Sequence, residues 1–241
     1  MRVSLFVTCL VDQIFPQVGE ATVELLRRVG VEVDFPEEQT CCGQPAFNDG
    51  FWPQAREVAR QFLRAFSDSE VIVSPSGSCV AMVREYYPLL FREDPQLHDR
   101  AQEIGRRTYE LSEFLVRVLG VEDVGASFRR KVTYHASCHG LRGLGLREEP
   151  LQLLRNVRGL ELIDLPGWDE CCGFGGLFSV KMPHLSSAML EEKIRNIVST
   201  GAEIVVATDI SCLMHIAGGL SRKRIPVRTM HLAEILASTA G

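Results

Sequence analysis

The tripeptide Cys-Cys-Gly occurs twice, at Cys41-Cys42-Gly43 and at Cys171-Cys172-Gly173. It constrains what this chain can fold into more than any other feature. Adjacent thiols hold two soft ligand atoms close together, and the following glycine lets the backbone take positive φ and pass close to whatever the sulfurs hold. Neither copy stands alone. Val3-Ser4-Leu5-Phe6-Val7-Thr8-Cys9 matches Val132-Thr133-Tyr134-His135-Ala136-Ser137-Cys138 at an offset of 129 residues. Thr40-Cys41-Cys42-Gly43 matches Glu170-Cys171-Cys172-Gly173 at an offset of 130. Ser69-Glu70-Val71-Ile72-Val73-Ser74, followed by Cys79, matches Ala202-Glu203-Ile204-Val205-Val206-Ala207, followed by Cys212, at an offset of 133. Leu232-Ala233-Glu234-Ile235-Leu236 echoes Leu111-Ser112-Glu113-Phe114-Leu115. All eight cysteines therefore fall into two sets of nearly equal spacing. In the first, 31 residues separate Cys9 from Cys41 and 35 separate Gly43 from Cys79; in the second the gaps are 32 and 38. A duplication of this length implies two similar lobes related by a pseudo-two-fold. The expected division is 1–125 and 126–241, joined near Gly125-Ala126-Ser127.

Periodicity supplies the elements. The run from Val3 to Thr8 is β-branched and aromatic and reads as a buried strand ending at Cys9. Val18, Ala21, Leu25, Leu26 and Val29 have helical spacing, and Gly30 stops that helix. Residues 31–35 alternate as a strand closed by Pro36. A second helix is expected over 52–66, with Ala55, Val58, Ala59, Phe62, Leu63 and Phe66 on one face. Val71-Ile72-Val73 is a core-type strand. A further helix is expected over 99–119, ending at Gly120. The alternation of strand and helix predicts an α/β fold, each lobe a mainly parallel sheet flanked by helices. Cys9 and Cys79 then fall just past the C-terminal ends of strands, the edge at which open α/β sheets form their sites.

Composition narrows the function. The chain has 241 residues, 46% hydrophobic and 24% charged, with a net charge of −5. That balance is ordinary for a soluble globular protein. The negative charge and the lack of a dense Lys/Arg patch argue against a nucleic-acid partner. The apolar run at the start is too short for a signal peptide, and no run approaches the roughly 18 residues that span a membrane. A cytoplasmic location is expected, and there eight cysteines point to ligands or redox groups rather than structural disulfides.

Four converging thiolates suit zinc or an iron–sulfur cluster. Structural zinc sites usually pair close Cys-x-x-Cys knuckles, whereas these ligands come from three separate loops, and the run is not that of small ferredoxins. Spacing alone leaves the metal open. Around the second set, His135, His139 and His184 are candidate ligands or proton donors, with packed, hydrogen-bonded histidines as the plainer reading. Arg142 and Lys181 could hold a carboxylate or tune a redox centre, against the plainer reading of solvated or ion-paired residues. Gly140, Gly143 and Gly145 match a dinucleotide fingerprint only weakly. Adjacent Cys41 and Cys42 could form a vicinal disulfide as an oxidation artefact.

The stretches Phe35-Pro36-Glu37-Glu38-Gln39-Thr40-Cys41-Cys42-Gly43-Gln44-Pro45, Ser74-Pro75-Ser76-Gly77-Ser78-Cys79 and Cys171-Cys172-Gly173-Phe174-Gly175-Gly176 carry a specific resemblance. Duplicated over essentially the whole chain, this pattern resembles the cysteine-rich CCG domain family and within it the lactate-utilisation branch. The resemblance implies an iron–sulfur electron-transfer subunit of a multi-subunit oxidoreductase. Its substrate would be L-lactate or a related 2-hydroxy acid such as glycolate, oxidised to the 2-keto acid. It implies one [4Fe–4S] cluster per lobe, held by Cys9, Cys41, Cys42 and Cys79 in the first and by Cys138, Cys171, Cys172 and Cys212 in the second. Zinc is the expected substitute in air-purified protein. The implied partners are other subunits of the complex, a second iron–sulfur protein and, as a further candidate, a flavoprotein. No residue of this chain is assigned a catalytic role. Where the heterodisulfide reductase branch carries one more cysteine per motif, this chain has Ser76 and Asp209. That departure puts the five-cysteine cluster and direct disulfide cleavage in doubt and leaves electron transfer untouched. Two alternatives stand beside this reading: a zinc-binding structural or assembly module, and a thiol–disulfide reductase of heterodisulfide reductase type.

Overall fold

The computed structural model of the protein describes residues 1–239; the last two residues of the expected second lobe, 240–241, lie outside the described residues. Short apolar strands that alternate with amphipathic helices have connections long enough for the crossover that parallel pairing needs. Two four-stranded sheets result, and every pairing in them is parallel. The first has the order β2-β1-β3-β4, with β1 Arg2–Leu5, β2 Glu32–Asp34, β3 Ile72–Ser74 and β4 Thr108–Glu110. The second repeats it as β6-β5-β7-β8, with β5 Lys131–Tyr134, β6 Glu161–Ile163, β7 Ile204–Ala207 and β8 Arg228–His231. In each half the chain leaves its first strand toward one edge and returns on the other side of it. The first and third strands therefore flank the switch point at which such sheets form a crevice.

Successive residues of a strand face opposite sides, and the packing follows that rule. Phe6 and Ile72 join a core under the Trp52–Ala65 and Pro95–Arg106 helices. Val205 joins its counterpart under the Pro183–Ser199 and Ile210–Arg222 helices. Val3, Val73, Val132, Ile204 and Val206 turn the other way and meet in one central core. The halves are repeats, but they are not independent bodies. The last helix, Leu232–Ala237, packs on the Pro16–Arg28 helix of the first half, and the Leu111–Glu113 turn packs on Glu149–Arg155 of the second.

The single helix expected over 99–119 is not formed. The helix ends at Arg106, β4 follows, and helix resumes at Leu111. The apolar periodicity ran on because a three-residue strand is too short to interrupt it. What decides the break is the open edge of β3, whose buried backbone needs partners. Thr108, Tyr109 and Glu110 supply them opposite Ile72, Val73 and Ser74. Glu110 then accepts from the backbone amides of Ser112 and Glu113 and caps the next turn. Among the described residues, no helix is long and apolar enough to cross a membrane.

Candidate metal centre

Each cysteine is placed by the end of an element. Cys9 opens the Cys9–Ile14 helix directly after Thr8, a β-branched residue held at φ 72°. Such a conformation persists only where its surroundings impose it. Cys138 precedes the π-helical turn His139–Gly143. The two Cys-Cys-Gly loops follow β2 and β6, and their glycines sit at φ 80° and φ 90°. That turn brings each glycine amide onto the first sulfur of its pair: Gly43 N donates to Cys41 Sγ at 3.4 Å and Gly173 N to Cys171 Sγ at 3.4 Å. Cys79 lies in the Gly77–Ala81 helix, capped by Ser76, and Cys212 in the Ile210–Arg222 helix, preceded by Asp209.

The sulfurs converge. Cys9 and Cys41 Sγ are 3.5 Å apart, and Cys42 and Cys79 Sγ 3.4 Å. These are contacts between free thiols, far longer than the ~2.05 Å of a disulfide, and all eight cysteines are free. In the second half the sulfurs of Cys172 and Cys212 and a ring nitrogen of His135 all lie within 4.8 Å of one another. All eight cysteines line one cavity of about 220 Å³. The two sets thus face a shared space where the sequence suggested only one site per half.

Proton sharing in each set is uneven. Cys41 is drawn well below the usual thiol range because Cys42 and Cys9 hydrogen-bond to it, and Cys42 and Cys9 are pushed up in turn. Cys171 is drawn down by Cys138 and Cys172, and Cys212 by Cys172 with smaller help from the side chains of His135 and Ser137. Four sulfurs packed this closely can be relieved by a cation that replaces their protons.

Ser76 and Asp209, the two positions singled out for lacking cysteine, meet each other. Ser76 Oγ donates to Asp209 Oδ1 at 2.9 Å and Ser78 Oγ to the same oxygen at 2.7 Å; Ser78 N donates to Oδ2 at 2.9 Å. Both positions line the cavity. Burial pushes the Asp209 carboxyl up to about 7, and the three donors tie the halves together beside the sulfurs. Gly77 has a packing role: a Cβ there would lie 3.1 Å from Gly140 Cα, so the backbones of the two halves approach closely at this point.

The other candidates separate. His139 lines the cavity with its Nδ1 3.7 Å from Cys138 Sγ. His184 is exposed and stands outside the lining. Lys181 pairs with Asp49, and Arg142 donates to the Asp169 carbonyl at 3.1 Å; neither lines the cavity. Gln44, Ser137 and Phe174 do line it, and spacing arguments passed over them. Comparing the repeats column by column would have marked Ser137 as the counterpart of Thr8.

Comparison with known proteins identifies the family and the duplication. The cysteine-rich domain family, CCG, matches residues 3–84 and again residues 132–217. Lactate utilization protein A of Bacillus subtilis (strain 168) is 54% identical over 238 residues, covering 99% of this chain and 100% of that protein. Lactate utilization protein A of Geobacillus thermodenitrificans (strain NG80-2) is 54% identical over 236 residues, covering 98% of each. Among solved structures, a hypothetical protein from Helicobacter pylori aligns with a TM-score of 0.61 at 9% identity. It covers 100% of this chain, which spans 49% of that longer one, and the likeness is one of fold alone.

Proposed function

Because this chain belongs to the cysteine-rich CCG domain family and carries the domain twice, we propose that it is an iron–sulfur electron-transfer subunit in lactate utilization, the process named for its relatives. One observation carries the proposal: all eight cysteines line a single cavity. The donor set fits such a group, since thiolates are the usual ligands of iron–sulfur clusters. Cys9, Cys41, Cys42 and Cys79 would hold one centre and Cys138, Cys171, Cys172 and Cys212 the other. When bound, a [4Fe–4S] cluster in each half would supply a one-electron carrier. This chain's residues hold the two sets against a common space and bring backbone N–H donors to Cys41 and Cys171.

Oxidation of L-lactate to pyruvate releases two electrons and two protons. We assign that step to partner chains, a second iron–sulfur protein and a flavoprotein being the candidates, in the cytoplasm. This chain relays the electrons one at a time. Turnover of lactate by the isolated chain would refute the relay.

The sulfur spacing favours a second reading. A tetrahedral zinc ion with Zn–S near 2.3 Å sets its sulfurs about 3.8 Å apart, close to the 3.5 and 3.4 Å contacts of the first set. Anaerobic purification with iron and acid-labile sulfide analysis separates the two. The electron-transfer reading expects about four irons and four sulfides per half, and Cys171→Ser should remove about half of each. About one zinc per half without sulfide would establish the structural module instead.

A further inference from the structure

Among the columns in which the two halves differ beside the sulfurs, one stands close to the first cysteine of each set. Three residues before the first cysteine stands Phe6 in the first half and His135 in the second. Both are fully buried, and both directly follow the first strand of their sheet. Phe6 packs edge-on against Phe62 and Phe66, ring centroids at 4.8 and 5.7 Å. His135 instead reaches the sulfurs, a ring nitrogen lying with Cys172 and Cys212 Sγ in one group no wider than 4.8 Å. Neither of its ring nitrogens has a hydrogen-bond partner among the described residues, and the adjacent Ser137 hydroxyl has none either. An imidazole always carries at least one N–H, and buried donors are almost always paired. The Cys172 and Cys212 sulfurs stand beside the ring as acceptors.

We propose that His135 donates a ring N–H hydrogen bond to the Cys172–Cys212 sulfur pair and so makes the two centres unequal, the second-half centre being the more easily reduced. The inference rests on the iron–sulfur reading above. One-electron reduction places added negative charge on a centre and its sulfurs, and a donor aimed at those sulfurs stabilises the reduced form more than the oxidised one. Phe6 offers the first-half centre no such donor. Electrons entering the protein therefore collect on the second half, which gives the relay a direction.

The test is a dithionite titration, with redox mediators and EPR detection, of anaerobically loaded wild-type, His135→Phe and His135→Gln protein. Wild type should show two separate one-electron waves. His135→Phe should lower the equilibrium constant of the upper wave about tenfold, 59 mV for a one-electron couple, leave the lower wave in place, and keep the full iron and sulfide content. His135→Gln, which retains an N–H donor, should recover most of the shift. An unmoved upper wave would overturn the proposal. So would loss of half the iron from a folded His135→Phe protein, because the ring would then be a ligand. Wild-type protein containing nitrogen-15 histidine gives a check that needs no variant. Pulsed EPR should find a weak coupling carried through the hydrogen bond; no coupling, or the strong coupling of a direct ligand, would overturn the assignment. Absence of iron and sulfide from the wild-type protein would overturn both readings, whereas loaded protein with unmoved waves overturns only this one.

Discussion

Replacing Gly173 with alanine tests how tightly the second Cys-Cys-Gly loop is built into its half. Gly173 sits at φ 90°, and an added Cβ would lie 2.6 Å from the Ser186 carbonyl oxygen and 3.0 Å from Met189 Cβ. Both belong to the Pro183–Ser199 helix, so the loop or the whole helix must move. Ser186 Oγ also donates to the Gly173 carbonyl at 2.8 Å, and that bond would be strained by the same movement. The conformational part costs about 1–2 kcal/mol and the overpacking a further ~1–3 kcal/mol. Two internal controls share the first cost; Gly176 lacks the second, and Gly43 carries only a small part of it. Gly43, at φ 80°, would bring its Cβ no closer than 3.3 Å to Val58 Cγ1, and Gly176, at φ 63°, meets nothing within 4 Å. At about 2–4 °C per kcal/mol for a chain of this size, Gly173→Ala should lower Tm by roughly 4–20 °C and each control by roughly 2–8 °C. Calorimetry on metal-free protein makes the comparison without reference to the centre. A loss in Gly173→Ala no larger than in Gly43→Ala would show that the helix yields freely and would refute the reasoning.

Four further outcomes rest on the packing. Burial lifts the Glu110 carboxyl to about 8 from an ordinary 4.5; the unfolded chain binds fewer protons between those values, so stability falls as pH rises through that window, by at most about 1.4 kcal/mol per pH unit. Glu110→Gln should flatten that slope in urea titrations, and parallel curves would count against it. His231, the corresponding N-cap of the second half, is lowered by burial to about 4 from 6.5, so its contribution runs the other way and stability rises with pH between those values. Arg84 Nη1 donates to both carboxylate oxygens of Glu113 at 3.0 and 2.8 Å, and that carboxylate side chain is only 5% exposed. Arg84→Met should cost about 1–3 kcal/mol by urea midpoint, less than the 3–5 kcal/mol of a fully orphaned buried charge, because Arg117 remains 3.5 Å from Glu113; no measurable loss would show that Arg117 suffices alone. Arg28 donates to the Leu236 carbonyl at 3.0 Å and to that of Ala237. Arg28→Met should speed amide exchange in Leu232–Ala237 while the strands keep their protection, and unchanged exchange would assign that docking to apolar contacts alone.

Much of the fold was legible because its signals are local. The strand runs at Val3 and Val71, the helical spacing of Val18, Leu25 and Leu26, and the stop at Gly30 depend on side-chain period and backbone freedom, which neighbours in the chain determine. The duplication was legible for the same reason, as was the placing of Cys9 and Cys79 beyond strand ends. The helix expected over 99–119 failed because the partner of β4 is β3, more than thirty residues earlier, and no periodicity within the segment records a vacant sheet edge.

The site divides along the same line. Composition and spacing were enough to mark eight cysteines as two sets of four. That both sets face one cavity, that Ser76 and Asp209 hydrogen-bond to each other across the halves, and that the ring of His135 approaches sulfur where Phe6 packs on phenylalanine were settled only when two sheets closed on a shared core. A chain carries its periodicities and ligand types residue by residue. Which distant groups touch depends on how two finished halves bury their apolar faces against each other, and that is a property of the assembled structure.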